Sequence, residues 1–359
     1  MPLLARLATA CAAIAAAGSS HALTINYTFL PGTSEQAQQA IRLAGAEWTA
    51  VITTDITVDL NFETGLRLSN GILGTTKSLK IDLFYDDFRS RLAKVSTSAA
   101  DASAVANLPA GATFDRLINH TSDNPNGAGS AMPYIDHGSR SVRLAAANAR
   151  AIGLQFQGNE SPGCAAACDA RIDISTRYQY DYDPSDGISP GTYDFVGIAT
   201  HEIGHALGFF SGVDGLDAAS SLRPAGQFSS VNSLDLFRYS SLSATSHAID
   251  FTADNRSKYF SINGGATVGP AFSEGEFYGD GAQASHWKDG GDIGVMQPYV
   301  AVGVAGPRIS SSDLMAMDVI GWTVSSVPEP APTALFAIGL TAVIFRRNAR
   351  RRELPGTSA

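Results

Sequence analysis

The segment His201-Glu202-Ile203-Gly204-His205 places two imidazoles and a carboxylate within five residues. In a helix, residues four positions apart project from one face, so both histidines can bind the same ion. Glu202 follows the first histidine and can reach a water molecule on that ion. Imidazole is a preferred zinc ligand, and a carboxylate beside an activated water can act as a general base. The spacing therefore predicts a catalytic zinc site with hydrolysis as its chemistry.

A catalytic zinc ion needs three protein ligands and one open position, so a third residue must complete His201 and His205. Their spacing is the H-E-x-x-H motif of zinc peptidases. The commonest extended form adds a glycine three residues after the second histidine and another histidine three residues further on. Gly208 is present and can end the helix, but position 211 is serine, a poor zinc ligand. We therefore expect the third ligand elsewhere in the chain.

His286 has the most informative surroundings among the remaining histidines. It lies in the sequence Ala-Ser-His-Trp-Lys, and Met296 follows ten residues later in the turn-like sequence Gly-Val-Met-Gln-Pro. A methionine after the third ligand, lying under the zinc as an apolar floor, is the second signature of metzincin peptidases. His120, His137 and His247 have no such context, and we expect them to be structural or solvated.

With these residues the chain resembles the leishmanolysin family of metzincins, which inserts a long segment between the glycine and the third histidine. The insertion would run from about Phe209 to Ser285. The matching residues are His201, Glu202, His205, Gly208, Phe209, His286, Trp287 and Met296. The resemblance implies a zinc endopeptidase acting on protein or peptide substrates. It also implies specific roles: metal ligands His201, His205 and His286, catalytic base Glu202 and Met-turn residue Met296.

The chain departs from the leishmanolysin pattern in its cysteines. That family is cysteine-rich, whereas only Cys164 and Cys168 remain after the N-terminal segment. In an oxidising compartment we expect them to form a short-loop disulfide, with a metal-binding pair as the alternative. No propeptide with an inhibitory thiol is recognisable. Asp214, just past the predicted helix, is the alternative third ligand because carboxylates also bind zinc.

Alternating apolar residues predict strands, and apolar residues at helical spacing predict helices. The predicted strands are 23–29, 56–62, 78–85 and 170–182, and the predicted helices follow Ser34 and cover 85–108, 192–209 and 311–321. This order predicts an α+β fold in which a less regular lobe follows an α/β lobe. The resemblance implies a metzincin-like domain over 23–326, with an upper lobe at about 23–211 and a lower lobe at about 212–326. The lower lobe would contain the Met-turn and a terminal helix, which Ser311 or Ser312 is expected to cap.

Asp181, Asp183 and Asp186 lie in the loop that precedes the predicted metal-site helix. They could bind calcium, but their spacing misses the pattern of an EF-hand loop. A solvated turn is therefore the favoured interpretation.

The N-terminus is typical of an export signal. Arg6 precedes an apolar run over 7–17, and Ser20-His21-Ala22 offers a small-x-small cleavage site, which predicts a signal peptide over 1–22. A short buried helix is the alternative interpretation.

Residues 327–352 combine Pro328-Glu329-Pro330, an apolar run of 13 residues and an arginine cluster, followed by a tail over 353–359. The apolar run is shorter than the roughly 20 residues of a transmembrane helix. The three parts resemble the PEP-CTERM sorting signal of Gram-negative bacteria. That resemblance implies recognition by an exosortase-type enzyme and transient association with the inner membrane, and a plain tail anchor is the alternative.

The chain is acidic, with 25 Lys and Arg residues against 34 Asp and Glu residues. Apart from the C-terminal arginine cluster it has no basic patch or aromatic-basic run, so a nucleic-acid partner is not expected. The predicted location is the periplasm, envelope or extracellular matrix. Two other functions remain open at this point. One is a noncatalytic zinc-fold structural or adhesion protein of the envelope or matrix, and the other is a zinc amidase acting on a cell-wall or glycan substrate.

Overall fold

The computed structural model describes residues 22–156, 164, 168–222 and 230–325, with only the backbone of residues 221 and 222. Nearly all of the predicted signal peptide, and the whole of the sorting segment and tail, therefore lie outside the described residues. The mixture of helices and several sheets confirms the α+β class. Within the described ranges, no helix combines the length and apolar character needed to cross a membrane.

Most of the helices bury apolar residues in the core. In the described part of the chain they are α1 (Glu35–Thr49), α2 (Tyr85–Val95), α3 (Ala99–Asn107), α4 (Ala146–Ala151), α5 (Phe195–Leu207), α6 (Val213–Leu222), α7 (Ser241–Thr245) and α8 (Ser311–Val319). Helix α1 begins as predicted at Ser34, whose hydroxyl accepts a hydrogen bond from the Ala37 amide at 3.2 Å. Helix α5 carries the H-E-x-x-H residues.

The strands are short and belong to several small sheets. They are β1 (Thr24–Phe29), β2 (Thr57–Glu63), β3 (Gly74–Ser78), β4 (Lys80–Phe84), β5 (Phe114–Ile118), β6 (Tyr134–Ser139), β7 (Ser141–Ala145), β8 (Ala170–Ile174), β9 (Tyr180–Asp181), β10 (Tyr193–Asp194), β11 (Arg238–Tyr239), β12 (Ile249–Asp250), β13 (Lys258–Phe260) and β14 (Ala271–Phe272).

The largest of these sheets positions the candidate site. Its strand order is β1-β2-β8-β3; the first three strands run parallel, and β3 lies antiparallel at the edge. Both α1 and β3 pack against α5. Trp48 on α1 is fully buried and donates a hydrogen bond from its indole to the Thr200 carbonyl at 2.8 Å. Helix α5 is therefore fixed between α1 and the edge strand.

Besides shifts of a few residues at the ends of elements, three predictions about these elements are wrong. The single helix over 85–108 is wrong: the chain forms α2 and α3, and a capping box of Ser98 and Asp101 begins the second. The predicted single strand over 170–182 is wrong: β8 ends at Ile174, and a turn separates it from the short strand β9. Helix α8 is capped by Ser310, not by Ser311 or Ser312, since its hydroxyl accepts from two amides of the first turn.

The predicted lobe boundary near residue 211 is crossed by a sheet. Strand β12, from the second half of the chain, pairs in parallel with β5, which in turn pairs with β6. The described residues up to Val324 form one compact unit. The division into lobes at residue 211 stays a prediction.

Candidate metal centre

Helix α5 presents its two histidines to an open cleft. Every residue of the helix other than His201 and His205 is buried. The helix begins at Asp194, whose carboxylate accepts from the Gly197 amide at 2.9 Å. It ends at Gly208, which has a φ of 121°, a conformation that favours glycine. The chain can therefore turn away directly after the second histidine.

The loop that follows β14 brings His286 to the two helical histidines. The Nε2 atom of His205 lies 3.0 Å from that of His201 and 3.3 Å from that of His286, and the third pair is 3.2 Å apart. Within the described residues these histidines form a group whose ligand atoms could hold one metal ion. The structure thus places together residues that are 81 positions apart in the sequence.

The other ring nitrogen of each histidine faces a backbone carbonyl. Nδ1 lies 2.8 Å from the Val295 oxygen in His201, 2.6 Å from the Phe209 oxygen in His205 and 3.1 Å from the Gln283 oxygen in His286. A carbonyl can only accept, so each Nδ1 carries the hydrogen and each neutral ring leaves a lone pair on Nε2. Three lone pairs at these distances repel unless a cation lies between them. Tetrahedral zinc with bonds of about 2.0–2.1 Å would separate its nitrogen ligands by about 3.3–3.4 Å, so the residues present fit zinc.

The surroundings keep all three imidazoles neutral. Burial lowers the pKa of His201, and burial together with the neighbouring His201 lowers the pKa of His286 to about 3. The pKa of His205 lies well below its usual value because of burial and the two adjacent imidazoles. Neutral imidazole is the form that binds a metal ion.

Glu202 lies in the same cleft, between α5 and the edge strand β3. Its carboxylate Oε2 accepts a hydrogen bond from the Thr76 hydroxyl at 2.7 Å. A Cβ atom at Gly74 would lie 2.5 Å from Oε1, so glycine is required to make room for the carboxylate. Burial raises the pKa of Glu202 to about 7, although the Thr76 hydrogen bond opposes this rise. A carboxyl group with such a pKa can exchange protons near neutral pH.

Met296 packs against α5 between the two histidines. It is fully buried, and a Cβ atom at Gly204 would overlap its sulfur and lie 3.1 Å from the Trp48 ring. The absence of a side chain at Gly204 therefore lets this turn approach the helix backbone. The turn and the third histidine are tied together, because the Trp287 amide donates to the Met296 carbonyl at 3.0 Å.

Asp313, in the first turn of α8, holds this loop in place. Its Oδ1 accepts from the Trp287 indole at 2.8 Å and its Oδ2 from the Val295 amide at 2.9 Å. It also accepts from the amides of Met296 and Ser310. One buried carboxylate therefore fixes the residue after the third histidine, the Met296 turn and the start of α8.

Asp214, the alternative third ligand, takes a different position. Its Oδ1 accepts from the Ala284 amide at 2.5 Å, and its Oδ2 accepts from the Ser285 hydroxyl. Ser211, which occupies the place of the third histidine in the compact motif, donates from its amide to that same hydroxyl at 2.8 Å. Asp214 thus anchors the segment that leads to His286, and the three-histidine group does not contain it.

The other predicted residues lie apart from the three-histidine group. His120 stacks on Tyr278 with ring centroids 4.3 Å apart, and His137 pairs with Asp115 at 2.7 Å. His247 is exposed, with a φ of 52°. Cys164 and Cys168 form a close pair with a Cα separation of 6.2 Å.

The three aspartates of the loop before α5 include two that accept hydrogen bonds within that loop. Asp181 accepts from Ser189 at 2.9 and 2.7 Å, and Asp183 accepts from the Ser185 amide at 3.1 Å. These are the contacts of a polar turn.

The three histidines and Glu202 line a cleft of about 740 Å³. The cleft is also lined by residues of the edge strand β3 and by Gln283, Ser285 and Tyr299. No family model, no curated protein and no solved structure matches the chain.

Sequence reasoning missed Thr76, Asp313 and the anchoring role of Asp214. Only Asp313 had a local signal: Ser310-x-x-Asp313 is a capping-box pattern just before an apolar run. Thr76 and Asp214 act on residues 126 and 70 positions away, where sequence spacing carries no information.

Proposed function

We propose that the chain is an exported zinc-dependent endopeptidase. One observation carries the proposal: three unprotonated Nε2 atoms converge within 3.0–3.3 Å of one another in an open cleft that also contains Glu202. A purely structural zinc site is usually closed by a fourth protein ligand, whereas a catalytic site keeps one position open. A cleft of about 740 Å³ is large enough to admit part of a peptide chain.

In this proposal His201, His205 and His286 hold the ion, and their Nδ1 hydrogen bonds fix the orientation of each ring. When bound, zinc would polarise the scissile carbonyl and lower the pKa of a water molecule towards about 7. Glu202 then accepts the proton of the attacking water and passes it to the leaving amine. Burial raises its pKa, which makes the carboxylate a stronger base for the first transfer.

The test of the mechanism is the substitution Glu202→Gln in the purified domain. This change keeps the shape of the side chain but removes the base, so cleavage of casein or gelatin should fall by at least about a thousandfold while zinc stays bound. Zinc content would be measured by elemental analysis, and a chelator should abolish wild-type cleavage. Full activity of the variant would contradict the mechanism. Zinc binding without cleavage in the wild type would favour the noncatalytic structural or adhesion role, and hydrolysis of a cell-wall amide alone would favour the amidase.

The ligand set has its own test. His286→Ala should remove stoichiometric zinc, because two histidines on one helix turn leave the coordination incomplete. His137→Ala is the matched control, since that imidazole is exposed and pairs only with Asp115. Retention of one zinc per chain in His286→Ala would contradict the assignment and return Asp214 as the third ligand.

The export and sorting signals remain part of the proposal. Their support is the sequence of residues 1–22 and 327–352. Mass spectrometry of the protein recovered from a Gram-negative host should find a mature N-terminus at Leu23. In a host that contains an exosortase, the C-terminal segment should be missing, whereas a retained arginine cluster would favour a tail anchor.

A further inference from the structure

A lysine lies in the cleft near the three histidines. Lys80 is the first residue of β4, and its ammonium nitrogen lies 4.5 Å from the centroid of the Phe210 ring. Phe210 lies just beyond the Gly208 cap of α5 and lines the cleft together with Lys80 and His205. A cation over an aromatic face is held in place without being neutralised.

The carboxylates nearest to Lys80 are already engaged by other groups. Asp214 accepts from the Ala284 amide and the Ser285 hydroxyl, and Asp235 accepts from Ser211, Gly212 and Asn232. Across the described ranges, no carboxylate oxygen lies within ion-pair distance of the Lys80 ammonium. Residues 223–229, which the structure does not describe, contain no acidic residue. Lys80 is therefore available to an anion that enters the cleft.

Arg143, the neighbouring cation, already has an anionic partner. Arg143 forms a two-pronged pair with Asp82, at 2.7 and 2.8 Å, which occupies the guanidinium. Lys80 is exposed in the cleft. Glu276 lines another part of the same cleft, where it acts on the pKa of Tyr299 together with Asp280 and Asp289. None of these three is among the charged groups that act on the pKa of Lys80, which are Arg143, Asp214 and Asp235.

We propose that Lys80 forms a subsite that binds a carboxylate of the substrate, over the Phe210 ring and beside the metal centre. The inference rests on the proposed peptidase function and names its substrate class: peptides with an acidic group near the cleaved bond. That group could be an Asp or Glu side chain or a free C-terminal carboxylate, which share the same chemistry. Because the ammonium gains a partner that it lacks within the described protein, the preference follows from one charge-assisted hydrogen bond.

The first experiment measures selectivity. The zinc-loaded wild type, Lys80→Met and Lys80→Glu would digest a mixed peptide library, and mass spectrometry would identify the residues that flank each cut. The preferred position would then be tested with matched peptides that carry Glu, Gln or Lys, each with a free or an amidated C-terminus. Lys94→Met is the matched control, because Lys94 is exposed on α2, away from the cleft.

The wild type should cleave the Glu peptide about tenfold faster in kcat/KM than the Gln peptide, the effect of one charged hydrogen bond. Lys80→Met should lose this preference while its cleavage of the Gln peptide stays within about threefold of the wild type. Lys80→Glu should prefer Lys instead. If amidation removes the preference, the subsite binds the C-terminal carboxylate; if it does not, the subsite binds a side chain. An unchanged preference in Lys80→Met would overturn the proposal.

A binding measurement separates this inference from catalysis. Isothermal titration of the zinc-loaded Glu202→Gln variant with the Glu and Gln peptides needs no turnover. The Glu peptide should bind about tenfold more tightly, and adding Lys80→Met should make the two affinities equal. If the wild type cleaves no peptide but this difference remains, the peptidase function fails and the carboxylate subsite stands. Equal affinities before Lys80 is replaced would overturn the subsite.

Discussion

The two halves of the candidate metal centre are built in different ways. His201 and His205 lie on one regular helix, where the four-residue spacing alone places both rings on one face. His286 lies in a segment between β14 and α8 that has no helix or strand of its own. Buried carboxylates hold that segment: Asp214 bonds to the two residues before the histidine, and Asp313 bonds to the residue after it.

The difference shows two ways to fix a side chain. In the helix, repeated backbone hydrogen bonds position each ligand, and packing by Trp48 and Trp322 holds the helix as a unit. In the loop there are only scattered backbone hydrogen bonds, and side-chain hydrogen bonds to buried carboxylates carry much of the geometry, so each contributes more. A buried donor that loses its acceptor costs roughly 1–3 kcal/mol. We therefore expect the loop side to be more sensitive to single polar substitutions than the helix side.

The largest effect is expected at Asp313. Replacing it with alanine would remove the acceptor for the Trp287 indole, the Val295 and Met296 amides and the Ser310 amide. We expect the free energy of unfolding to fall by about 4 kcal/mol, because several buried donors lose their partner together. Denaturant titration of the zinc-free protein would measure this fall, and zinc affinity should weaken in parallel.

Asp289→Ala is the control for the loss of an acidic residue in the same loop. Asp289 is exposed, so its replacement should change stability by less than about 0.5 kcal/mol. If Asp313→Ala were as stable as this control, other contacts would position the loop and the contrast with the helix would disappear.

On the helix side, the critical feature is the contact between Gly204 and Met296. Alanine normally stabilises a helix interior by about 1 kcal/mol relative to glycine. At position 204 its Cβ atom would overlap the Met296 sulfur, so we expect Gly204→Ala to destabilise the protein by about 2 kcal/mol instead. A double-mutant cycle with Met296→Ala measures this overlap, because the shorter side chain leaves room for the new methyl group. A cost of Gly204→Ala that is the same in both backgrounds would show that the turn does not press on the helix.

Sequence predicted the helix half of the site better than the loop half. The pair of histidines, Glu202 and the capped start of α1 follow from local spacing, which is a property of the helix itself. His286 could be singled out only through the methionine ten residues later. The carboxylates that hold the loop make contacts over tens of residues, and no period in the sequence reveals such contacts.

The limits of local sequence patterns also explain the errors in the predicted fold. The break between α2 and α3 was hidden because Phe88 and Leu92 begin an apolar stripe that suggested one long helix. The capping box at Ser98 and Asp101 was the signal against it. The pairing of β12 with β5 spans more than 130 residues, so the sequence could predict the α+β class but not this sheet.

A smaller effect, on kcat, is expected from replacing Thr76, the residue of β3 that contacts the proposed base Glu202. Thr76 donates to the Glu202 carboxylate at 2.7 Å, so Thr76→Val should lower kcat about tenfold with little change in KM. Thr76→Ser keeps the hydroxyl and should restore most of the rate. Thr245→Val removes an exposed hydroxyl that bonds only to a backbone carbonyl, and its activity should match the wild type. A valine variant with wild-type kcat would show that α5 alone positions the base.

The smallest effect is expected from the charge on Asp214. Burial raises its pKa from 3.8 to about 6 in the folded state, so between these values the folded protein binds more protons at this site than the unfolded chain. Its contribution to stability is therefore fully present below about pH 4 and is lost as pH rises through about 6. Asp214→Asn keeps an acceptor for the Ala284 amide and removes this titration. The zinc-free wild type should lose roughly 2 °C more in Tm than the variant between pH 4 and pH 7. The histidines titrate in both proteins, so the difference between the two curves isolates Asp214. Parallel curves would mean that Asp214 is ionised over this whole pH range in the folded protein.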